Sequence, residues 1–267
     1  MLQVSALFVY PIKSTRGRAL RQATVEPCGL AGDRRWMLVN AGGTAVTQRE
    51  APRLALVEAL PEPDGLRVVI PGRDPCFVPR PPREAARVTV RIWGDRVPAA
   101  PAPGDVHAAF SAFLGRPVRL VHLPGDVVRP VDPAYAVGAD RVSFADGFPL
   151  LLASEASLAE LNRRLPDPLP MDRFRPNLVV AGGRPFEEDT WKKIRAGEVT
   201  FHVVKPCARC VVTTIDQQTG LRGKEPLRTL ATFRRREGKV LFGQNLIPEG
   251  PGVVRVGDRV EVLHRAG

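Results

Sequence analysis

With 267 residues the chain can bury a large core, as one big domain or two modest ones. Its 39 lysines and arginines against 28 acidic residues give a net charge of +11, which invites an anionic partner, either a phosphate-bearing small molecule or a nucleic acid. The basic residues are dispersed, with Arg234-Arg235-Arg236 the longest run and only two tyrosines, which argues against nucleic acid; four cysteines exclude a disulfide-stapled scaffold, and no apolar stretch is long enough to span a membrane.

The opening MLQVSALFVYPIKS has no basic leader, and Gln3 and Ser5 break its apolar run. Val4–Val9 is therefore expected as a strand rather than a signal peptide, and with so few cysteines the protein is expected in the cytoplasm. Ala23–Val25, Trp36–Val39 and Ala45–Gln48 read as further strands, the last two joined by Asn40-Ala41-Gly42-Gly43. Leu54–Leu60 and Leu66–Ile70 are short apolar runs between prolines and Gly65, and Val88–Trp93 alternates as a half-buried strand does. Asp105 is placed to cap a helix through Leu114. The segment from Pro124 to Ala139 is rich in loop residues and is the expected linker.

Past that linker, Val142–Leu152 opens a second segment, and Ser154 or Ser157 caps a helix carrying Leu158, Leu161 and Leu165. Asn177–Val180, Val199–Val204, Val211–Ile215, Val240–Phe242 and Val253–Leu263 are expected strands. Pro226 opens a helix that presents Leu227, Leu230 and Phe233.

Local chemistry centres on KPCARC at 205–210, where Cys207 and Cys210 lie beside Lys205 and Arg209, cations that favour a thiolate. A zinc knuckle wants a second ligand pair, yet Cys28 and Cys76 are isolated and His107, His122, His202 and His264 are scattered. A thioredoxin-type pair wants a helix start, whereas a β-branched run follows here. Two structural cysteines are the third reading, and local sequence leaves all three open. Gly-Asp-Arg recurs at 32–34, 94–96 and 257–259, which suits a turn device, and Asp146-Gly147 is an ordinary turn on its face. Arg173-Phe-Arg-Pro-Asn177 could grip a phosphate or simply form surface ion pairs.

Seven segments in order, YPIKSTRG (10–17), GDRRW (32–36), VTQRE (46–50), FADGFPLLLASEASLAELN (144–162), FRPNLVV (174–180), KPCARC (205–210) and FGQNL (242–246), resemble the MOSC family, named for the C-terminal domain of molybdenum cofactor sulfurase. The resemblance covers essentially the whole chain and is to the two-domain branch that includes the mitochondrial amidoxime-reducing component and its bacterial relatives. It implies a mixed α/β, mostly β fold: an N-terminal β-barrel-like domain over residues 1–122, a β-barrel MOSC domain over 123–267, and a cofactor cleft between them.

The resemblance further implies a molybdenum-molybdopterin cofactor whose metal takes a thiolate from Cys210, a soft ligand suited to a metal already held by dithiolene sulfurs. Lys13, Ser14, Arg34, Asp146, Arg175, Asn177 and Arg209 match the family's cofactor contacts, and Asn245 stands where a tyrosine lies near the cofactor in eukaryotic members. Ala208 and Gly147 replace hydroxyl residues of that pattern, and Cys207 matches no ligand position. A pyridoxal phosphate label comes with the family only at family level. The implied activity is reduction of N-hydroxylated compounds such as amidoximes, hydroxylamines and N-hydroxy bases. No Cys-x₄-Cys-x₂-Cys spacing occurs, so the electrons are expected from a separate reductase, ferredoxin or cytochrome b5-like protein. The alternative enzyme reading is sulfur carriage as a persulfide on Cys210.

Overall fold

The strand Gln3–Val9 shows how the chain packs. Its register against Leu178–Ala181 slips between Val4 and Ala6, so Val4 and Leu7 both turn inward although they are three residues apart. The computed structural model describes residues 1–266, and Gly267, the last residue of the expected second domain, lies outside them. Most of the ordered chain is β, in agreement with the expected class, and three short α-helices accompany it. Among the described residues the strands fall into four sheets, and the far end of the largest returns to the first strand: Gln3 bridges Arg259, Val4 N–H donates to the Asp258 carbonyl (2.8 Å) and Gly257 N–H to that of Val4 (2.7 Å).

The largest sheet runs Val260–Arg265, Trp191–Ala196, Val199–Ala208, Lys239–Pro248, Leu150–Ser154, Leu178–Ala181, Gln3–Val9, Arg18–Leu20, with Arg235–Arg236 paired to Lys239–Pro248. Only Leu150–Ser154 and Leu178–Ala181 pair in parallel, through a crossover that contains the helix Glu155–Asn162. The N-terminal half adds a sheet in the order Trp36–Asn40, Val118–His122, Asp95–Pro101, Val88–Ile92, and a three-stranded meander over Glu58–Pro79. Gln22–Glu26 pairs with Gly252–Arg255, so two strands from the first thirty residues, this one and Gln3–Val9, pair with strands of the C-terminal half. No helix among the described residues is long and apolar enough to cross a membrane.

Four sequence expectations change for identifiable reasons. Residues 142–149 are loop because the buried Arg129 guanidinium donates to the carbonyls of Ser143, Ala145 and Asp146, taking acceptors that a ladder would have used. Val211–Thr214 is a 3₁₀ turn, not a strand: the Thr213 hydroxyl donates to the Cys210 carbonyl (3.0 Å) and Thr214 to that of Val211 (2.7 Å), which suits the tighter turn. Within Ala45–Gln48 only Ala45 makes a bridge, to Val39. Val253–Leu263 splits at Gly257, whose φ of +97° sets a turn. Trp191–Ala196, which Lys192-Lys193 hid from the apolar pattern, is a strand.

The helices Glu155–Asn162 and Leu227–Phe233 sit on a cluster in which Phe174 and Phe242 stack at 3.9 Å. Beside it, buried Glu188 accepts a hydrogen bond from the Ser157 hydroxyl (2.7 Å) through Oε1, while its Oε2 has no partner. Burial pushes this carboxyl up to about 7 from 4.5. Its folded value therefore exceeds its unfolded one, so its contribution to stability is complete below about pH 4.5 and is lost as the pH rises through about 7. Glu188→Gln keeps an acceptor for Ser157. It is expected to raise unfolding free energy by roughly 1–2 kcal/mol near pH 8 and to change little near pH 5, as read from urea titrations at both pH values.

Candidate functional site

The strand Gln3–Val9 delivers Tyr10 to a fully enclosed position. Its backbone N–H donates to Asp33 Oδ1 (2.9 Å) and its hydroxyl to the Pro176 carbonyl (3.0 Å). Burial raises the phenol's pKa, and the nearby Arg175 and Arg34 only partly oppose this, so the hydroxyl stays protonated and able to donate. The ring carries two guanidinium groups, Arg34 at 4.2 Å and Arg175 at 4.3 Å from its centroid. Gly17 makes room for it, since a Cβ there would stand 2.4 Å from Tyr10 Cε1.

Arg34 donates to Asp33 Oδ2 (2.7 Å) and to Asn177 Oδ1 (3.0 Å). Asn177 is fixed in turn by donating to the Phe8 carbonyl (3.1 Å), which ties the end of the first strand to the start of Leu178–Ala181. Arg175 donates to the Thr15 carbonyl (2.7 Å), and its Nη2 is buried without a partner. Burial lowers its pKa to about 10, which leaves it protonated at neutral pH.

These side chains wall a cleft of about 140 Å³. Lys13 lies at its floor, donating to the Phe144 carbonyl (2.8 Å) and to Asp146 Oδ1 (2.5 Å). Burial lowers the pKa of the ammonium, and the Asp146 charge restores part of the loss. For Asp146, enclosure by the cleft pushes the carboxyl up, yet Lys13, Arg49 and Arg34 outweigh it and hold the group well below the usual carboxylate range. Arg209, on the turn after Val199–Ala208, donates to Cys207 Sγ (2.8 Å) and to the Phe174 carbonyl (2.7 Å), leaving its Nε buried and unpartnered. Asn245 donates to the Lys205 carbonyl (3.1 Å). Cys210 Sγ accepts from Arg49 Nη2 (3.1 Å).

All nine sequence-predicted residues, Lys13, Ser14, Arg34, Asp146, Arg175, Asn177, Arg209, Cys210 and Asn245, line this one cleft, although more than 230 positions separate the first from the last. Cys207 lines it as well. Backbone strain gathers here too: of six non-glycine residues with positive φ, Ser14, Arg34 and Arg175 line the cleft and Trp93 stands at its edge. The sequence reading missed Arg49, which touches Cys210, lies 3.5 Å from Asp146 and stacks on Trp93 at 4.4 Å. The available signal was VTQRE, quoted as a motif without a role for its arginine. No cluster of three His, Cys, Asp or Glu side chains fit to hold a metal occurs among the described residues; the cleft lining offers Cys207, Cys210 and Asp146 as groups of ligating type.

Mostly-β sheets and a cation-walled cleft lined by two thiols, Cys207 and Cys210, characterise the chain. Residues 1–117 match the MOSC N-terminal beta barrel domain and residues 139–261 the MOSC domain, and the chain belongs to the MOSC family. It is 34% identical to mitochondrial amidoxime-reducing component 1 of Homo sapiens over 97% of this chain and 82% of that protein. It is 35% identical to mitochondrial amidoxime reducing component 2 of Rattus norvegicus over 96% of this chain and 82% of that protein. The molybdenum cofactor sulfurase of Oryza sativa subsp. japonica is 33% identical over 91% of this chain, which spans 32% of that longer protein.

Proposed function

We propose that this chain is a molybdenum-cofactor oxidoreductase that reduces N-hydroxylated compounds, amidoximes and hydroxylamines among them, to amidines or amines. The observation that carries the reading is the meeting of Cys210 with five cationic side chains, Lys13, Arg34, Arg49, Arg175 and Arg209, in one cleft whose lining includes a single carboxylate, Asp146. Two of those cations keep a buried N–H without a partner, Arg175 at Nη2 and Arg209 at Nε. An anionic pterin phosphate would satisfy such donors, so the residues fit the group.

In this reading Cys210 supplies a thiolate to the metal, and Arg175, Arg34 and Lys13 hold the phosphate or donate to the pterin ring. When bound, the cofactor supplies two-electron reduction at the N–O bond. The chain fixes orientation and charge: Asp146 holds Lys13 in place through their ion pair, Asn177 holds the Arg34 fork, and Arg49 presents an N–H beside the Cys210 sulfur. A separate redox protein delivers the electrons, and the setting is cytoplasmic.

The test is metal and pterin analysis of protein made in a host that synthesises molybdopterin, followed by benzamidoxime reduction with an artificial electron donor. About one molybdenum per chain with turnover supports the reading, and protein free of molybdenum after such expression sinks it. The rice sulfurase likeness keeps one alternative, a persulfide on Cys210 for delivery to an acceptor. That activity needs no resident metal, so the same analysis separates the two. Arg49→Gln is expected to lower kcat/KM for benzamidoxime about 10–100-fold, as loss of a ligand-orienting partner does, with molybdenum content unchanged. Steady-state assays on metal-matched samples read it.

A further inference from the structure

Arg34 faces the cleft, but its neighbour Arg35 faces a second and larger cavity of about 560 Å³ that the proposed chemistry does not use. Three segments distant in sequence each bring one arginine to its wall: Arg35, Arg141 and the exposed Arg80, which also donates to the Pro63 carbonyl (3.1 Å). Among the described residues, no carboxylate lies within 4.0 Å of any of the three. Arg35 donates to the Leu123 carbonyl (2.9 Å) and Cys28 Sγ (3.4 Å), while its Nε is buried with no partner. Of the two acids on the wall, Glu62 is already paired with Arg67 (2.7 Å), and Glu26 is left to balance three cations. The excess is two positive charges, which matches a phosphate monoester at about −1.5 to −2.

The wall also carries apolar and aromatic side chains. Trp36 and His122, both at least nine-tenths buried, lie with ring centroids 4.6 Å apart, next to Leu66, Leu123 and Val142. His122 makes no side-chain hydrogen bond among the described residues. Burial, with Arg35 and Arg80 adding to it, takes its ring down to about 3, so at neutral pH it is an uncharged donor and acceptor. Like-charged guanidinium groups that share a partly open cavity repel one another less once an anion joins them. The volume lies in the range of small-molecule sites.

We propose that this cavity binds an organic phosphate carrying a flat ring, of about mononucleotide size, its phosphate held by Arg35, Arg80 and Arg141 and its ring set against the Trp36–His122 wall. Calorimetric titration of the full chain with adenosine monophosphate and with inorganic phosphate tests this, using wild type, Arg80→Gln/Arg141→Gln and the cleft variant Arg49→Gln. One nucleotide per chain is expected to bind, roughly tenfold tighter than inorganic phosphate; the double variant weakens nucleotide binding roughly tenfold and the cleft variant leaves it unchanged. Nucleotide is also expected to slow alkylation of Cys28 in wild type without affecting Cys207, a readout that survives if the double variant fails to fold. Absence of saturable nucleotide binding to wild type overturns the site, as does equal affinity for the two probes. Loss of binding in Arg49→Gln, or unprotected Cys28 at saturation, moves the ligand elsewhere and overturns it too.

Discussion

Replacing Cys210 with alanine is expected to bring benzamidoxime reduction down by more than roughly a thousandfold, about 4 kcal/mol of barrier, while the fold survives. The side chain is partly exposed, and its sulfur has one hydrogen-bond partner, Arg49, so truncation removes little packing. The backbone turn does not depend on it either: Thr213 and Thr214 close that turn through the carbonyls of Cys210 and Val211. Circular dichroism and the urea midpoint should match wild type, and molybdenum should be lost or loosely held. Cys207→Ala serves as the comparison. Its sulfur receives an Arg209 N–H at 2.8 Å in the same cleft, and a loss of only a few-fold is expected there. Full activity in the Cys210 variant would remove the ligand assignment and favour a chemistry that leaves both thiols idle.

Tyr10→Leu is expected to lower unfolding free energy by about 3–4 kcal/mol, the range for deleting a buried aromatic, with Tyr10→Phe costing about 1 kcal/mol. Leucine fills part of the space but gives Arg34 and Arg175 no π face, and two guanidinium groups would then be stranded in a desolvated site. Phenylalanine keeps both stacks and loses only the bond to the Pro176 carbonyl. Urea unfolding of the two variants checks the order, and a Phe variant as unstable as the Leu variant would place the effect in the hydroxyl instead. Since Arg34 and Arg175 line the cleft, the leucine variant is also expected to retain less cofactor after purification than Tyr10→Phe does.

Much of the site was legible before any coordinates. Lys13, Arg34, Arg175 and Cys210 sit in motifs whose order identifies the family, and all of them reach the cleft. Arg49 was not, because its contribution is a contact across 161 positions with Cys210 that no local pattern encodes. The Val211–Ile215 run shows the opposite failure: β-branched residues favour a strand, but threonine hydroxyls bonded to carbonyls three residues back made a 3₁₀ turn. Trp191–Ala196 was hidden because Lys192, Lys193 and Arg195 stand between the buried Trp191, Ile194 and Ala196, and a register shift on the Val260–Arg265 side breaks simple alternation.

By itself the sequence determined the mostly-β class, the positive charge that favours an anionic ligand and the residue types of the cleft, since turn residues, alternation and motif order are local properties. Tertiary structure decided that Gln3–Val9 and Gln22–Glu26 join strands from the C-terminal half of the chain. It also decided that Arg34 and Arg35, adjacent in sequence, serve different cavities. Each of these depends on which distant groups compete for the same hydrogen bonds and the same buried space, and that competition is settled only when the chain closes on itself.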